Sequence, residues 1–212
     1  LKLYGYFRSS AAYRVRIALA LKGLPVETVF VHLMKGEQYS PEYTRINPQN
    51  LVPVLEDEGA RLYQSLAIME YLEERHPHPP LLPVDAAGRA RVRSLALLIA
   101  CEIHPLNNPR VLNYLTGKLG VSEDQKLEWY RHWVTMGFTP LETRLAQEAG
   151  TGRFCQGDTP GFADCVLVPQ VANARRFKVD LEAFPTIGRI DAACRELEAF
   201  KQAAPENQPD AQ

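Results

Sequence analysis

The 212-residue chain has no stretch approaching the roughly 20 consecutive apolar residues of a membrane-spanning helix, and its first residues lack the basic region, apolar run and small-residue cleavage site of a signal peptide. Spanning and secreted roles are set aside, and the cytoplasm is the expected location. Charge of one sign is also lacking. Lys and Arg number 24 against 25 Asp and Glu, for a formal net charge of -1. That balance gives no electrostatic reason to expect nucleic acid or an anionic membrane surface as partner, so any charge-based function must be local. Cysteine is scarce: Cys101, Cys155, Cys165 and Cys194 are widely scattered, with no CxxC pair and no His/Cys spacing suited to zinc. They read as reduced, mostly buried thiols, and no metal site is expected. There is no internal repeat. What the chain does have is apolar material, 46 % of its residues, ample for one or two packed cores.

Residues 1–80 alternate short strand and helix patterns. Bulky residues over 1–7 predict a strand. Ser9 and Ser10 then precede Val15, Ile17, Ala18, Leu19 and Leu21, a helix stopping at Gly23. Residues 27–33, β-branched and apolar after Pro25, predict a second strand parallel to the first across that helix. A polar stretch over 34–50 is irregular or helical. Residues 52–55 then read as a strand, Asp57-Glu58-Gly59 as a turn and 61–63 as the hairpin partner, and Ser65 caps a helix with Leu66, Ile68, Met69, Tyr71 and Leu72. The order βαβ, irregular stretch, ββα is that of a thioredoxin-like α/β domain. Prolines over 76–83 form a semi-rigid linker. Residues 86–212 show only helical periodicity, over 92–101, 127–149, 165–175 and 187–199, so an all-α domain follows, ending in a frayed tail over 203–212.

Ser9 and Ser10 fall where the first strand becomes the first helix, so hydroxyls and backbone N–H groups converge on the positive end of a helix dipole, where an anion is expected. Serine is also a common N-cap, and position alone does not separate the two roles. Val52-Pro53 adds a second anchor. A proline opening a strand in this fold is commonly cis, with neighbouring backbone left to pair with an extended peptide. Gln64-Ser65 opens the third helix and offers N–H groups, a hydroxyl and an amide to a terminal carboxylate and amine. Together these anchors describe a glutathione site.

The segment Arg8-Ser9-Ser10-Ala11-Ala12-Tyr13-Arg14-Val15-Arg16-Ile17-Ala18-Leu19 resembles the signature of zeta-class glutathione transferases. The resemblance continues through Asn47-Pro48, Val52-Pro53, Gln64-Ser65-Leu66-Ala67-Ile68, residues 168–174 and Arg176-Phe177-Lys178, nearly the whole chain. It implies that Ser9 and Ser10 hold and activate the glutathione thiol and that Gln38, Val52, Gln64 and Ser65 bind the rest of the tripeptide. It further implies that His104, Asn108 and Arg110 reach glutathione or substrate, that Arg176 lies at the substrate end, and that the protein is a homodimer. The sequence departs from the family at Ala11, where many members carry cysteine, so the reacting thiol must be glutathione's own. It departs again at Gly161, where the wider superfamily has Ser or Thr capping the helix through Asp164. Gly is a tolerable cap, and Asp164 reads as structural.

The chemistry implied by the resemblance is cis-trans isomerisation of a maleyl diacid: a thiolate adds to the double bond, the resulting single bond rotates, and elimination returns the fumaryl product with glutathione unconsumed. Negative charge developing beside a carbonyl needs donors or cations, for which Arg8, Arg110 and Arg176 are the candidates. Arginine's planar fork also suits the substrate's carboxylates. Most arginines are merely solvated, and Arg176 lies beside Arg175, so a plain surface role stays open for each. His104, before Pro105, has an ordinary pKa near about 6.5 that suits a proton relay, yet a histidine at a helix break often only hydrogen-bonds, and a ligand contact is the favoured role. Two substrates compete. Ala11 with His104 and Arg110 favours maleylpyruvate, to be converted to fumarylpyruvate in aromatic degradation, over maleylacetoacetate of tyrosine breakdown. A general conjugating transferase or peroxidase would need an open apolar pocket, which the arginines oppose. A non-enzymatic module would have lost Ser9, Gln64 or Ser65.

Overall fold

The computed structural model describes residues 1–211, which form two compact units: Leu1–Leu81 together with the chain from Arg195 onward, and Leu82–Cys194. In the first unit β1 (Lys2–Gly5), α1 (Ser10–Leu21) and β2 (Glu27–Phe30) make the expected βαβ element. Lys2 pairs with Glu27 and Gly5 with Phe30 in the parallel ladder. Short 3-10 turns over Leu33–Lys35 and Glu37–Tyr39 lead to α2 (Pro41–Ile46), then β3 (Val54–Asp57), β4 (Ala60–Tyr63) and α3 (Ser65–Arg75). The sheet order is β2-β1-β3-β4, with β3 antiparallel to both neighbours. Glu58 and Gly59 both have positive φ, 47° and 86°, as a two-residue hairpin turn of matching twist requires. Leu3, Val54 and Leu55 on the strands and Ile17, Ala18, Ile68, Met69 and Leu72 on the helices form the core. Ser65 is not the cap of α3, as expected, but its first residue. Gln64 takes the cap position, and the Ser65 hydroxyl accepts from Arg14 Nη1 at 3.2 Å instead.

The proline-rich connection is held by a buried lysine. Lys22 Nζ donates to Glu73 Oε2 at 2.7 Å, to the His76 carbonyl at 2.7 Å and to the Pro79 carbonyl at 3.0 Å, and the Glu73 carboxylate also accepts from Leu81 N at 2.9 Å. With its side chain wholly buried, Lys22 must keep all three acceptors, which fixes the connection to the first unit as far as Leu81.

The second unit is helical: α4 (Ala86–Leu97), a π-helical turn over Leu98–Ile103, a 3-10 turn over His104–Asn107, α5 (Pro109–Gly117), α6 (Glu123–Gln147), α7 (Phe162–Arg176) and α8 (Pro185–Arg195). α6 begins earlier than its apolar period suggests because Ser122 and Gln125 close a capping box. α7 likewise starts at Phe162, with Gly161 as cap, and the buried Asp164 accepts from Gly161 N and Cys155 N at 2.8 and 2.9 Å, the structural role expected of it. Among the described residues no helix is long and apolar enough to cross a membrane.

The end of the chain corrects two expectations. The helix expected over 187–199 is broken, since Leu197 turns extended (φ -80°, ψ 137°) and a separate α9 (Glu198–Ala203) follows. α9 packs on α1, so the all-helical region does not run as one domain from 86 to the end. The expected frayed tail is ordered through Ala211. Asn207 Nδ2 donates to the Lys201 carbonyl at 2.7 Å, Gln208 Nε2 to the Gln202 carbonyl at 2.8 Å, and Asp210 Oδ2 accepts from Phe7 N at 3.0 Å. Gln212 lies outside the described residues.

Candidate functional site

The turn from β1 into α1 carries Arg8, Ser9 and Ser10. Ser9 is the N-cap (φ -71°, ψ 112°), and its hydroxyl accepts from Ala12 N at 3.2 Å. That bond uses a lone pair and leaves the hydroxyl proton to be donated outward. Ser10 is the buried first residue of α1. The first-turn amides of a helix have no acceptor within it, so an end capped by Ser9 can also receive an anion. Arg8 is exposed with its guanidinium 4.8 Å from the Phe7 ring centre.

The other candidates of this unit lie in the 3-10 turn over Glu37–Tyr39, just before β3 and at the start of α3. The Val52-Pro53 peptide is cis, and Val52 precedes the paired part of β3, its side chain packed in a cluster with Tyr4, Tyr6, Val31, Tyr43 and Val54. Leu33, from the loop that goes on to Gln38, packs on the same cluster. Gln38 is buried, and its Oε1 has no hydrogen-bond partner. A buried acceptor without a donor is costly, by about 1–3 kcal/mol, and invites a ligand N–H. Gln64, at φ 67° and ψ 117°, holds a conformation that side chains rarely adopt, and its Nε2 donates to Gln49 Oε1 at 3.1 Å. Such strain is characteristic of ligand sites. Behind Ser65 stands the buried Arg14, whose bond to the serine hydroxyl was not foreseen. An arginine inside an apolar helical stripe, as at Val15 and Ile17, is the signal that could have found it.

In the helical unit, Asn108 is the N-cap of α5. Its Oδ1 accepts from Arg110 N at 3.0 Å and Val111 N at 3.3 Å, and its Nδ2 donates to the Pro105 carbonyl at 2.9 Å. The side chain is thus committed to shaping the turn that carries Arg110, which is exposed at the second position of the helix. An Asn-Pro pair is a cap followed by a preorganised first residue, a sequence signal for α5. His104 opens the 3-10 turn after the π-helical segment and is half-buried. At the end of α7 the adjacent arginines are both exposed but differ in partner: Arg175 pairs with the buried Asp191, whereas the Arg176 guanidinium lies 5.3 Å from the centre of the Phe177 ring, which stacks on Tyr130 at 3.7 Å.

The cysteines offer no competing nucleophile from the interior. Cys155, Cys165 and Cys194 are buried, and burial pushes the Cys155 and Cys194 thiols up, away from the reactive thiolate. Cys101 is exposed.

A thioredoxin-like sheet of order β2-β1-β3-β4 with a cis proline before β3, followed by a helical unit, defines the class of glutathione-transferase folds. The model of the glutathione S-transferase N-terminal domain matches residues 1–74. A probable maleylacetoacetate isomerase of Vibrio cholerae is 54 % identical over 99 % of this chain and 97 % of its own length. A maleylpyruvate isomerase of a Ralstonia species is 50 % identical over 99 % of both. Among solved structures, a holo maleylpyruvate isomerase described as a bacterial zeta-class enzyme superposes with a TM-score of 0.98 at 50 % identity over the full length of both chains. A maleylacetoacetate isomerase from Methylobacterium extorquens with bound malonate and glutathione gives 0.97 at 46 % identity, also over the full length of both. The chain belongs to the zeta class of glutathione transferases, the family of the maleylpyruvate and maleylacetoacetate isomerases.

Proposed function

We propose that the chain is a glutathione-dependent cis-trans isomerase acting on maleylpyruvate to give fumarylpyruvate. The observation that carries the reading is the full-length match to isomerases of maleyl acids on a chain whose first unit has the donors and acceptors a tripeptide needs. The fit to glutathione rests on the buried Gln38 Oε1, a ready acceptor, on the Val52 backbone ahead of the ladder, and on the strained Gln64 that opens the first turn of α3 at Ser65. Bound there, glutathione supplies a thiol that, once ionised, adds reversibly to a double bond conjugated to a carbonyl.

The residues of the chain do the rest. Ser9 donates its hydroxyl proton, and the first-turn amides of α1 add their dipoles, so negative charge on sulfur is favoured at this end. Ser10 stands beside them in the same turn. Ser65 and the amides of α3 take the α-carboxylate, and Gln64 the amine. Arg8, Arg110 and Arg176 neutralise the substrate's carboxylates and the charge that builds on its carbonyl oxygen, with His104 as a further ligand contact and Asn108 acting through the turn it caps. The proposed setting is the cytoplasm and the proposed assembly a homodimer, both in keeping with the family.

Maleylacetoacetate is the second reading, favoured by the Vibrio cholerae relative. A pocket tuned to one of two diacids that differ by a short extension discriminates weakly. The test is ultraviolet-monitored loss of each cis substrate by purified protein with and without catalytic glutathione. Turnover that requires glutathione without consuming thiol supports the isomerase, and the ratio of kcat/KM values names the substrate. No turnover of either acid removes the reading and leaves a conjugating transferase.

A further inference from the structure

Phe7 lies two residues beyond the end of β1, so its N–H and C=O have left the ladder and need partners elsewhere. Both partners depend on the far end of the sequence. The N–H donates to Asp210 Oδ2 at 3.0 Å, across 203 residues of chain. The carbonyl accepts from Arg16 Nη2 at 3.1 Å, while Arg16 Nη1 reaches the Tyr6 carbonyl at 3.4 Å and Arg16 Nε donates to the Ala203 carbonyl at 2.9 Å. Arg16 is buried on α1, which pushes its guanidinium down to about 10 against an opposing pull from Tyr13 and Asp210, so it stays charged at neutral pH. The Tyr6 carbonyl also accepts from Ser9 N at 2.9 Å, which makes the same short segment the floor of the Ser9 cap. Asp210 itself is aimed by a 3-10 turn over Pro209–Ala211, and its second oxygen, Oδ1, is buried without a hydrogen-bond partner, so the bond to Phe7 N–H and the attraction of the Arg16 guanidinium together offset its desolvation.

We propose that the segment after α9 is a strap that sets the Phe7–Ser10 turn in its thiol-activating geometry, with Asp210 as the positioning residue. The inference rests on the reading of Ser9 and Ser10 as the thiol site. It makes the apparent pKa of bound glutathione depend on a carboxylate that touches neither glutathione nor substrate. A displaced Ser9 hydroxyl and first-turn amides hold a thiolate less well, because charge stabilisation of this kind falls steeply with misplacement.

The experiment compares the full-length protein with Asp210→Ala, with Asp210→Asn, which keeps an acceptor for Phe7 N–H, and with Pro209→Gly, which leaves the carboxylate but loosens the turn that aims it. Amide exchange over residues 6–11 in the free protein is read first, then the pH dependence of thiolate absorbance with glutathione bound, then kcat and KM for glutathione. Asp210→Ala is expected to lose protection over 6–11, to raise the apparent thiol pKa and to lower kcat by about tenfold. Asp210→Asn should recover most of this, and Pro209→Gly should show a smaller shift of the same kind. Unchanged exchange over 6–11, or faster exchange with an unmoved thiol pKa and kcat, overturns the strap as a positioning device. The exchange measurement needs no ligand, so it tests the strap even where the wild-type protein fails to bind glutathione, an outcome that counts against the functional reading instead. Should Asp210→Ala not fold, Pro209→Gly and Asp210→Asn decide.

Discussion

Gln64 occupies a backbone conformation, φ 67° and ψ 117°, that glycine adopts freely and other residues only at a cost of about 1–3 kcal/mol. Its side chain must therefore contribute something a glycine would not. Gln64→Gly is expected to raise stability, by up to about 1 kcal/mol in urea denaturation, while raising the KM for glutathione several-fold. A loss of stability with unaltered KM would show the glutamine to be structural. The charged side chains show how far single letters can be read. The helix-start places of the uncharged Ser9, Ser10, Gln64 and Ser65 were legible, because serine and strand-to-helix turns go together. The arginines were not, since the letter is the same for Arg16, buried against backbone carbonyls, for Arg175, claimed by Asp191, and for Arg176 beside it, which lies by the Phe177 ring. Only the partners, brought from distant parts of the chain, separate these fates.

At the scale of elements, the π-helical turn over Leu98–Ile103 meets α6 at Gly137, where an added Cβ would stand 2.2 Å from Ile103 Cγ1. The Ile103 side chain seats against the α6 backbone there only because the glycine has no side chain. Gly137→Ala should destabilise the protein by about 1–3 kcal/mol, and the cost should shrink in an Ile103→Ala background, a coupling that a double-mutant cycle measures directly. Equal costs in both backgrounds would place the strain elsewhere. The strands were legible from short apolar or β-branched runs bounded by Pro25 and the Asp57-Glu58-Gly59 turn, and α1, α3, α6 and α7 from helical period. Boundaries moved where caps decide, as at Ser122 and Gly161. The break at Leu197 was hidden because the apolar period runs on through it, and what ends α8 there is the packing of α9 on α1.

For the whole molecule, the first unit is discontinuous, its sheet built from residues before Leu81 and its outer cover from residues after Arg195. A fragment of residues 1–81 would expose the face of α1 that α9 covers and leave Arg16 without the Ala203 carbonyl. It is expected to lack a cooperative thermal transition by circular dichroism, and joining residues 195–212 to it through a Gly/Ser linker in place of 82–194 should restore one. Failure of the joined chain alone to fold would mean that the helical unit also supports the sheet. Sequence period could place the sheet but not this return, because α9 is one short helix among several and nothing local marks whose surface it covers.

The return of the chain also sets an order in time. A ribosome makes β1 and the Tyr6–Ser9 turn before the helical unit and Asp210 after it, so a nascent chain carries its serines long before Phe7 N–H can meet its carboxylate partner. If the strap sets that turn, a protein halted before Asp210 is made, or clipped near Pro205, would hold Ser9 and Ser10 without the contact that positions them.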